Sequence, residues 1–308
     1  MGQGCCREDE PARPANIEPL PKLAAVVWKE HPGTALPDSE LASGRNSNTK
    51  LPTYFERDVP EMEAMAASAS SAGDGRRPLF RFKSNSTYQG EWLRHMRHGF
   101  GVQCWPDGTV YKGQWRHNRA HGLGLFLHND GDRYVGSWEN NVAHGLGVYH
   151  HRDVTTYMGE WANDLQDGYG VETWREGSRY EGRFRLGQKE GAGVYHWPDG
   201  ACYRGSWTDN SFSGMGLYEG RDGRWFKGGW QDSLIHGIGR YAWADGRAYE
   251  GQYVLDKKHG YGVFKWPDGG FYEGFWKQGR QHGRGTYTNP KGEKQTGTWA
   301  LGRPSTEV

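Results

Sequence analysis

Residues 88–92 read Tyr-Gln-Gly-Glu-Trp, residues 111–115 read Tyr-Lys-Gly-Gln-Trp, and residues 134–138 read Tyr-Val-Gly-Ser-Trp. The same Tyr-x-Gly-x-Trp phrase begins again at Tyr157, Tyr180, Tyr203, Phe226, Tyr249 and Tyr272, and a degenerate tenth copy starts at Gln295. Every step is 23 residues, with no insertion or deletion. Self-similarity at a fixed period of this length is the signature of a repeat architecture. The glycine is kept in all ten units, and the last position holds Trp in eight, with Phe184 and Tyr253 as the exceptions.

Two further phrases keep the same period. Gly-x-Gly follows in nine units, from Gly99/Gly101 to Gly283/Gly285, and His98, His121, His144, His236, His259 or His282 precedes it in six of them. Asp-Gly closes many units, as at Asp107-Gly108, Asp199-Gly200, Asp245-Gly246 and Asp268-Gly269. From Thr87 to Trp92 the chain puts Tyr88, Gly90 and Trp92 on one face and polar residues on the other, the period-two pattern of a strand. Gly99 to Trp105 reads as the second strand, and Asp-Gly between two such runs is a strong signal for a two-residue hairpin turn. In that register Cys104 faces Tyr111, Val102 faces Gly113 and Phe100 faces Trp115. The apolar residue inside Gly-x-Gly is then expected on the aromatic face, beside the Tyr and Trp of the next unit. A glycine between Tyr and Trp leaves room for a ring to lie over the backbone.

The expected fold is therefore all-β: an elongated antiparallel meander of about ten tandem 23-residue hairpins. Its repeat-defining residues begin with Tyr88, Gly90 and Trp92, then Tyr111, Gly113 and Trp115, then Tyr134, Gly136 and Trp138. Strands ~4.8 Å apart give ~9.6 Å per repeat, so ten repeats would span about 95 Å. Such an array has nearest-neighbour contacts and exposed edges at its ends. The last first-strand, ending at Trp299, reads as lacking a hairpin partner. Residues 296–301 contain no Lys or Pro to block edge pairing, so a homodimer joined through the C-terminal repeats is expected.

Composition agrees with β-structure. The 308-residue chain carries 48 Gly and 14% aromatic residues at a mean hydropathy of −0.93. There is no Gly-X-Y period, which excludes collagen, and the aromatics are too many for a Gly-rich disordered chain. Net charge is +1, with 9 Lys+Arg against 12 Asp+Glu in residues 1–79 and 29 against 25 after them. That balance offers no basic stripe for tracking a nucleic-acid backbone, so no nucleic-acid partner is expected. Four cysteines (Cys5, Cys6, Cys104, Cys202) show neither a zinc spacing nor a disulfide framework, which fits a reducing compartment. The chain shows no secretory signal and no apolar span of about 20 residues. The Asn85-Ser86-Thr87 sequon therefore reads as coincidental.

The three phrases together, Tyr-x-Gly-x-Trp, His-Gly-x-Gly and Asp-Gly, resemble the MORN family (membrane occupation and recognition nexus repeats) over residues 86–302. Departures are mild: Asp167, Glu190 and Ser213 replace the His, Asp153-Val154 replaces one Asp-Gly, and the last unit lacks its second half. The resemblance implies roles at membrane–cytoskeleton junctions, in cilia or at the cell cortex, often with self-association through the array. Some members carry a lipid-kinase or methyltransferase domain. Only nine residues follow Trp299 here, so no such domain and no enzyme activity are expected.

Nothing in the residues argues otherwise. The repeated His lie roughly 10 Å apart along the array, too far to share an ion at a bond of about 2.0–2.1 Å. The Gly-x-Gly pairs lack the strand–loop–helix setting of a phosphate loop. No catalytic constellation, metal site or cofactor is expected.

The N-terminal 79 residues divide differently. Met1-Gly2-Gln3-Gly4-Cys5-Cys6-Arg7 resembles an N-myristoylation start at Gly2, with Cys6 where Ser or Thr is usual and with Cys5 and Cys6 as S-palmitoylation sites. One myristoyl chain binds a membrane marginally, and a second acyl chain makes attachment stable. Residues 8–79 are rich in Pro, Ala, Ser and Glu and read as a largely disordered linker. Within it, Asp58 and Glu61 form an Asp-x-x-Glu capping pattern, Pro60 sits in the first turn, and Met62, Met65 and Ala66 form an apolar strip, which together read as a short helix over 59–68. Leu23–Trp28 is a second apolar cluster, with the look of a docking peptide.

The reading that follows is a membrane-tethered scaffold or adaptor at the cytosolic face of a plasma, cortical or ciliary membrane. Its array would recruit protein partners, cytoskeletal ones among them; without acylation it would be cytoplasmic. Two alternatives stand beside it. One is a regulatory subunit that brings a kinase or other enzyme to the membrane. The other is direct phospholipid binding by the repeats, which so small a positive charge hardly supports.

Overall fold

The computed structural model describes residues 54–68 and 74–305. The readings at Gly2, Cys5, Cys6 and Leu23–Trp28 lie outside the described residues. The described residues up to Pro198 form one compact unit and those from Asp199 a second. Each is an open antiparallel meander in which sequential strands pair, except that the short first two strands of the first unit both pair with its third. Twelve strands, β1 to β12, lie within residues 75–196, and ten more, β13 to β22, within residues 202–305.

The first repeat shows how the sequence builds the meander. β3 (Thr87–Leu93) and β4 (Met96–Cys104) are joined by Arg94-His95, both at positive φ, the two-residue turn whose twist suits a hairpin. The same turn recurs at Asn140-Asn141, Asn163-Asp164 and Asp209-Asn210, where Asn and Asp tolerate the left-handed region better than other residues. Second strands therefore begin three residues before Gly99, not at it. Between the Glu91/His98 and Gly90/Gly101 pairs, β4 carries two extra residues, a bulge made possible by Gly99 at φ +63°.

The Asp-Gly turn differs from the expectation, and the difference sets the faces. The amide of Gly108 donates to the carbonyl of Trp105 at 3.0 Å, and the amide of Trp105 donates to the carbonyl of Thr109 at 2.9 Å. Pro106, Asp107 and Gly108 thus form a three-residue loop, with Gly108 at φ +93°. Register between β4 and β5 (Val110–Arg116) follows: Gly101 faces Gly113, Gln103 faces Tyr111 and Phe100 faces Gln114. A one-residue slip moves every side chain to the other face. Phe100 and its counterparts consequently point away from the aromatic face, which corrects the placement expected from the sequence.

The N-terminal segment also differs. A turn over 54–58 leads into helix α1 (Val59–Ser68), and β1 (Gly75–Arg76) and β2 (Phe80–Arg81) pair with the outer edge of β3. Residues 54–68 and 74–79 are thus part of the folded unit, not linker. Asp58 and Glu61 do not form a reciprocal cap. The Asp58 carboxylate accepts from the hydroxyls of Ser84 (2.6 Å) and Ser86 (2.5 Å), and Glu61 accepts the amide of Lys83 at 2.8 Å. Both carboxylates dock the helix start on the loop before β3 and so cover an edge that would otherwise be open.

At the other end β21 (Lys294–Ala300) is not a lone strand. Leu301-Gly302 turns the chain into β22 (Arg303–Ser305), which pairs with residues 298–300 and places Pro304 on the rim.

The close approach of each tyrosine ring to a glycine yields a direct test. A Cβ on Gly124 would stand 2.4 Å from the Tyr111 hydroxyl and 2.6 Å from its ring, whereas a Cβ on Gly297 would meet nothing closer than the Trp299 ring at 3.7 Å. Overpacking of this kind costs about 1–3 kcal/mol. Thermal unfolding should show Gly124→Ala markedly destabilised and Gly297→Ala close to wild type; equal shifts would contradict the packing described.

Candidate functional site

The aromatic face is assembled from one contact repeated. The Tyr88 ring lies over Gly90 and Gly101, and its hydroxyl donates to the Glu91 carbonyl at 2.9 Å; Tyr111 donates in the same way to Gln114 and Tyr134 to Ser137. Each Tyr sits edge-on between its own Trp and the next. Tyr88 is 5.1 Å from Trp92 and 5.6 Å from Trp115, and Tyr111 is 5.0 Å from Trp115 and 5.4 Å from Trp138. Edge-to-face rings at these distances are favourable beyond their buried area. The indole nitrogens of Trp115 and Trp138 donate to the carbonyls of Gly101 and Gly124. Burial pushes the Tyr195 and Tyr272 hydroxyls up to about 12 and those of Tyr88, Tyr111 and Tyr134 higher still. The repeat-defining residues read from the sequence are thus core residues.

This face also holds a short peptide. Phe55, 3% exposed, packs among Trp105, Tyr111, Trp115, Phe126 and Trp138 at ring separations of 5.2–5.9 Å. Tyr54 donates its hydroxyl to Asp107 at 2.6 Å, and its carbonyl accepts from the Trp105 indole at 3.0 Å. Below it Arg97 is fully buried and lies 4.2 Å over the Trp115 ring. Its guanidinium donates to the carbonyls of Phe55 (2.8 Å) and Asn118 (3.0 Å) and to Gln103 (3.1 Å), and Gln103 in turn donates to Asp58. Burial pulls Arg97 down to about 10, against the opposing pull of the Asp58 charge. The recognition elements are explicit: an aromatic box, an indole and a cation that each take a main-chain carbonyl, and a carboxylate that takes a tyrosine hydroxyl.

The opposite face carries a row of apolar side chains. Leu123 is 65% exposed, Leu146 67%, Met215 64% and Ile238 70%, and Phe100, Tyr169 and Tyr261 are about half exposed. These are the residues inside Gly-x-Gly in seven of its nine repeats, with Ala192 and Arg284 at the other two.

Sequence reading missed both features. Tyr54-Phe55 sits outside the period, in a segment whose composition argues for disorder; its signal was an aromatic pair in an otherwise aromatic-poor stretch. The outward row was seen as apolar but assigned to the wrong face. Of the other residues singled out, the six repeated His take up half-buried positions one per repeat. Among the described residues no group of three or more His, Cys, Asp or Glu is arranged to hold a metal ion, and no helix is long and apolar enough to cross a membrane.

An open meander of Tyr-over-Gly hairpins defines a repeat module, and comparison with known families agrees. The MORN repeat model matches nine times, from residues 88–110 to residues 272–294. The chain belongs to the MORN-repeat family. The tenth unit read from the sequence lies beyond the last match. No curated protein matches. Among solved structures, the wild-type TCP10 domain of Danio rerio CPAP is similar at 14% identity and a TM-score of 0.37, over 67% of this chain and 98% of that chain. The SAS-4 (dCPAP) TCP domain of Drosophila melanogaster, in complex with a proline-rich motif of Ana2 (dSTIL), reaches 12% identity and a TM-score of 0.27, over 75% of this chain and 96% of that one. Likeness at that level bears on neither fold nor function here.

If Phe55 anchors the segment, Phe55→Ala should lower the stability of the first repeats by about 3–5 kcal/mol, with a red shift in tryptophan emission as Trp105, Trp115 and Trp138 meet water. Unchanged emission and stability would show that the segment is not seated there.

Proposed function

We propose that this protein is a non-enzymatic, membrane-tethered scaffold whose MORN array binds protein partners at a membrane–cytoskeleton junction. The observation that carries the reading is the outward row of Gly-x-Gly side chains. A row of Phe, Leu and Tyr in the first unit and of Met, Ile and Tyr in the second, each about half exposed or more, does not serve the aromatic core. Exposed apolar side chains repeated along one face in this way mark candidate interaction sites. Neighbouring members stand ~9.6 Å apart, a spacing suited to an extended partner laid across the strands. The inner face adds precedent, since it already holds a peptide by its rings and carbonyls.

The tether rests on Gly2, Cys5 and Cys6, which supply the two-chain anchor that stable attachment requires. Cytosolic-face localisation follows from that anchor. Self-association near the C-terminus belongs to the same proposal; with β22 pairing residues 298–300, it would use residues 294–297 of the β21 edge.

Two arms test the proposal in cells by proximity labelling and fractionation. Leu123→Glu with Leu146→Glu should leave folding intact, because exposed substitutions shift stability by about 0.5 kcal/mol or less, while removing a defined subset of neighbours. Gly2→Ala should move the protein from membrane to cytosol. An unchanged neighbour set in the first arm, or soluble wild-type protein in the second, would overturn the corresponding part.

A further inference from the structure

The turn Trp-Pro-Asp-Gly occurs three times, at 105–108, 197–200 and 266–269. The first lies beside the box that holds Phe55. Seven repeats later the third is followed by the same constellation: Trp266, Tyr272, Trp276, Tyr287 and Trp299 stand where Trp105, Tyr111, Trp115, Phe126 and Trp138 stand around Phe55. The later rings are similarly disposed, with Trp266 and Tyr287 5.6 Å apart, Tyr272 and Trp276 5.3 Å, and Tyr272 and Trp299 5.1 Å. Lys258 occupies the place of Arg97. Its Nζ lies 4.6 Å over the Trp276 ring, as the Arg97 guanidinium lies over Trp115.

The two cations differ in what satisfies them. Arg97 is capped by the Phe55 carbonyl, and the third cation in this row, Lys189, is paired with Glu172 at 2.7 Å. Lys258 is 2% exposed, and its Nζ has no hydrogen-bond partner among the described residues; neither does the side-chain amide of Gln281, one repeat on. A buried cation without an acceptor is costly. The first box shows what such a cation takes: a main-chain carbonyl delivered by an aromatic residue seated in the rings.

We propose that the Leu23–Trp28 segment of this same chain docks on the inner face of the last repeats, with the Trp28 indole in the five-ring box and a main-chain carbonyl of the segment on Lys258 Nζ. Trp28 is the only Phe, Tyr or Trp in residues 1–53, so this stretch holds a single side chain of the kind the box accepts. An acidic residue follows each anchor, Asp58 after Phe55 and Glu30 after Trp28, which places negative charge near the cation in both cases. Twenty-six residues lie between Trp28 and Phe55, a segment that can extend to ~90 Å. The N-terminal region would then use one recognition mode twice, once in each unit. The proposal does not depend on acylation of Gly2.

The test uses the full-length protein with p-benzoylphenylalanine at position 28, mixed from light and heavy isotope preparations and irradiated. Digestion should yield cross-links from position 28 to peptides spanning 258–299, within a single isotope label, and Lys258→Met should reduce them. In parallel, Trp28→Ala should raise amide exchange over 258–299 without altering exchange around Phe55, a readout that does not depend on Lys258→Met folding. Cross-links between light and heavy chains would overturn the proposal in favour of a second copy as the occupant. Absence of cross-links to the inner face, together with unchanged exchange in Trp28→Ala, would leave that face to another protein's aromatic peptide and overturn it as well.

Discussion

The structure depends on a tyrosine ring lying flat over two glycines that face each other on adjacent strands. Gly90 and Gly101 are paired, and a Cβ on Gly101 would come within 2.2 Å of the Tyr88 hydroxyl. Because neither glycine has a side chain, the ring lies over both strands and its hydroxyl satisfies the carbonyl of Glu91, three residues on in its own strand. The ring also fixes the two indoles beside it, one in its own repeat and one in the next. Each repeat therefore passes its geometry to its neighbour, which is how an array with only local contacts stays ordered. One layer of sheet has no second sheet to bury against; the folded rings form the second layer.

That constraint also sorts the faces. Positions that carry Tyr and Trp are committed to packing, and so is the inward row that holds Arg97, Ala120, Ala143, Gln166, Lys189 and Lys258. The first glycine of Gly-x-Gly adopts positive φ and bulges its strand, which throws the following residue outward. Core and binding surface are consequently written by adjacent residues of one phrase. The buried cations are the exception on the inner face, since each must be given an acceptor. Arg97 receives the Phe55 carbonyl and Lys189 receives Glu172, so the inward row records where the face expects a guest or a counter-charge.

Much of this was legible in the sequence, because a 23-residue period imposes the same environment ten times. The strand at Tyr88–Trp92, the tight approach at Gly90 and the role of the aromatic residues as core could be read directly. Register could not, because Asp107-Gly108 resembles a two-residue turn. Pro106 was the overlooked signal: a two-residue turn closed by residues 106 and 109 needs an amide hydrogen at 106, and proline has none. The pairs Asn140-Asn141 and Asn163-Asp164 were a second signal, marking the true two-residue turns. The slip of one residue then assigned Phe100, Leu123 and Leu146 to the wrong face. Tyr54-Phe55 was illegible for a different reason. A segment that folds only by docking on another element carries no period of its own, and the rings around Phe55 lie 50 to 83 residues away in the chain.

The rings are core, and the residues inside Gly-x-Gly are surface. Hydroxyl-radical footprinting of the full-length protein measures this directly, side chain by side chain. Phe100, Leu123 and Met215 should be modified rapidly, while Tyr88, Tyr111 and Tyr134 should be protected to the limit set by global unfolding. Protection of Phe100, Leu123 and Met215 together with rapid modification of those tyrosines would mean the alternative register and would contradict the account.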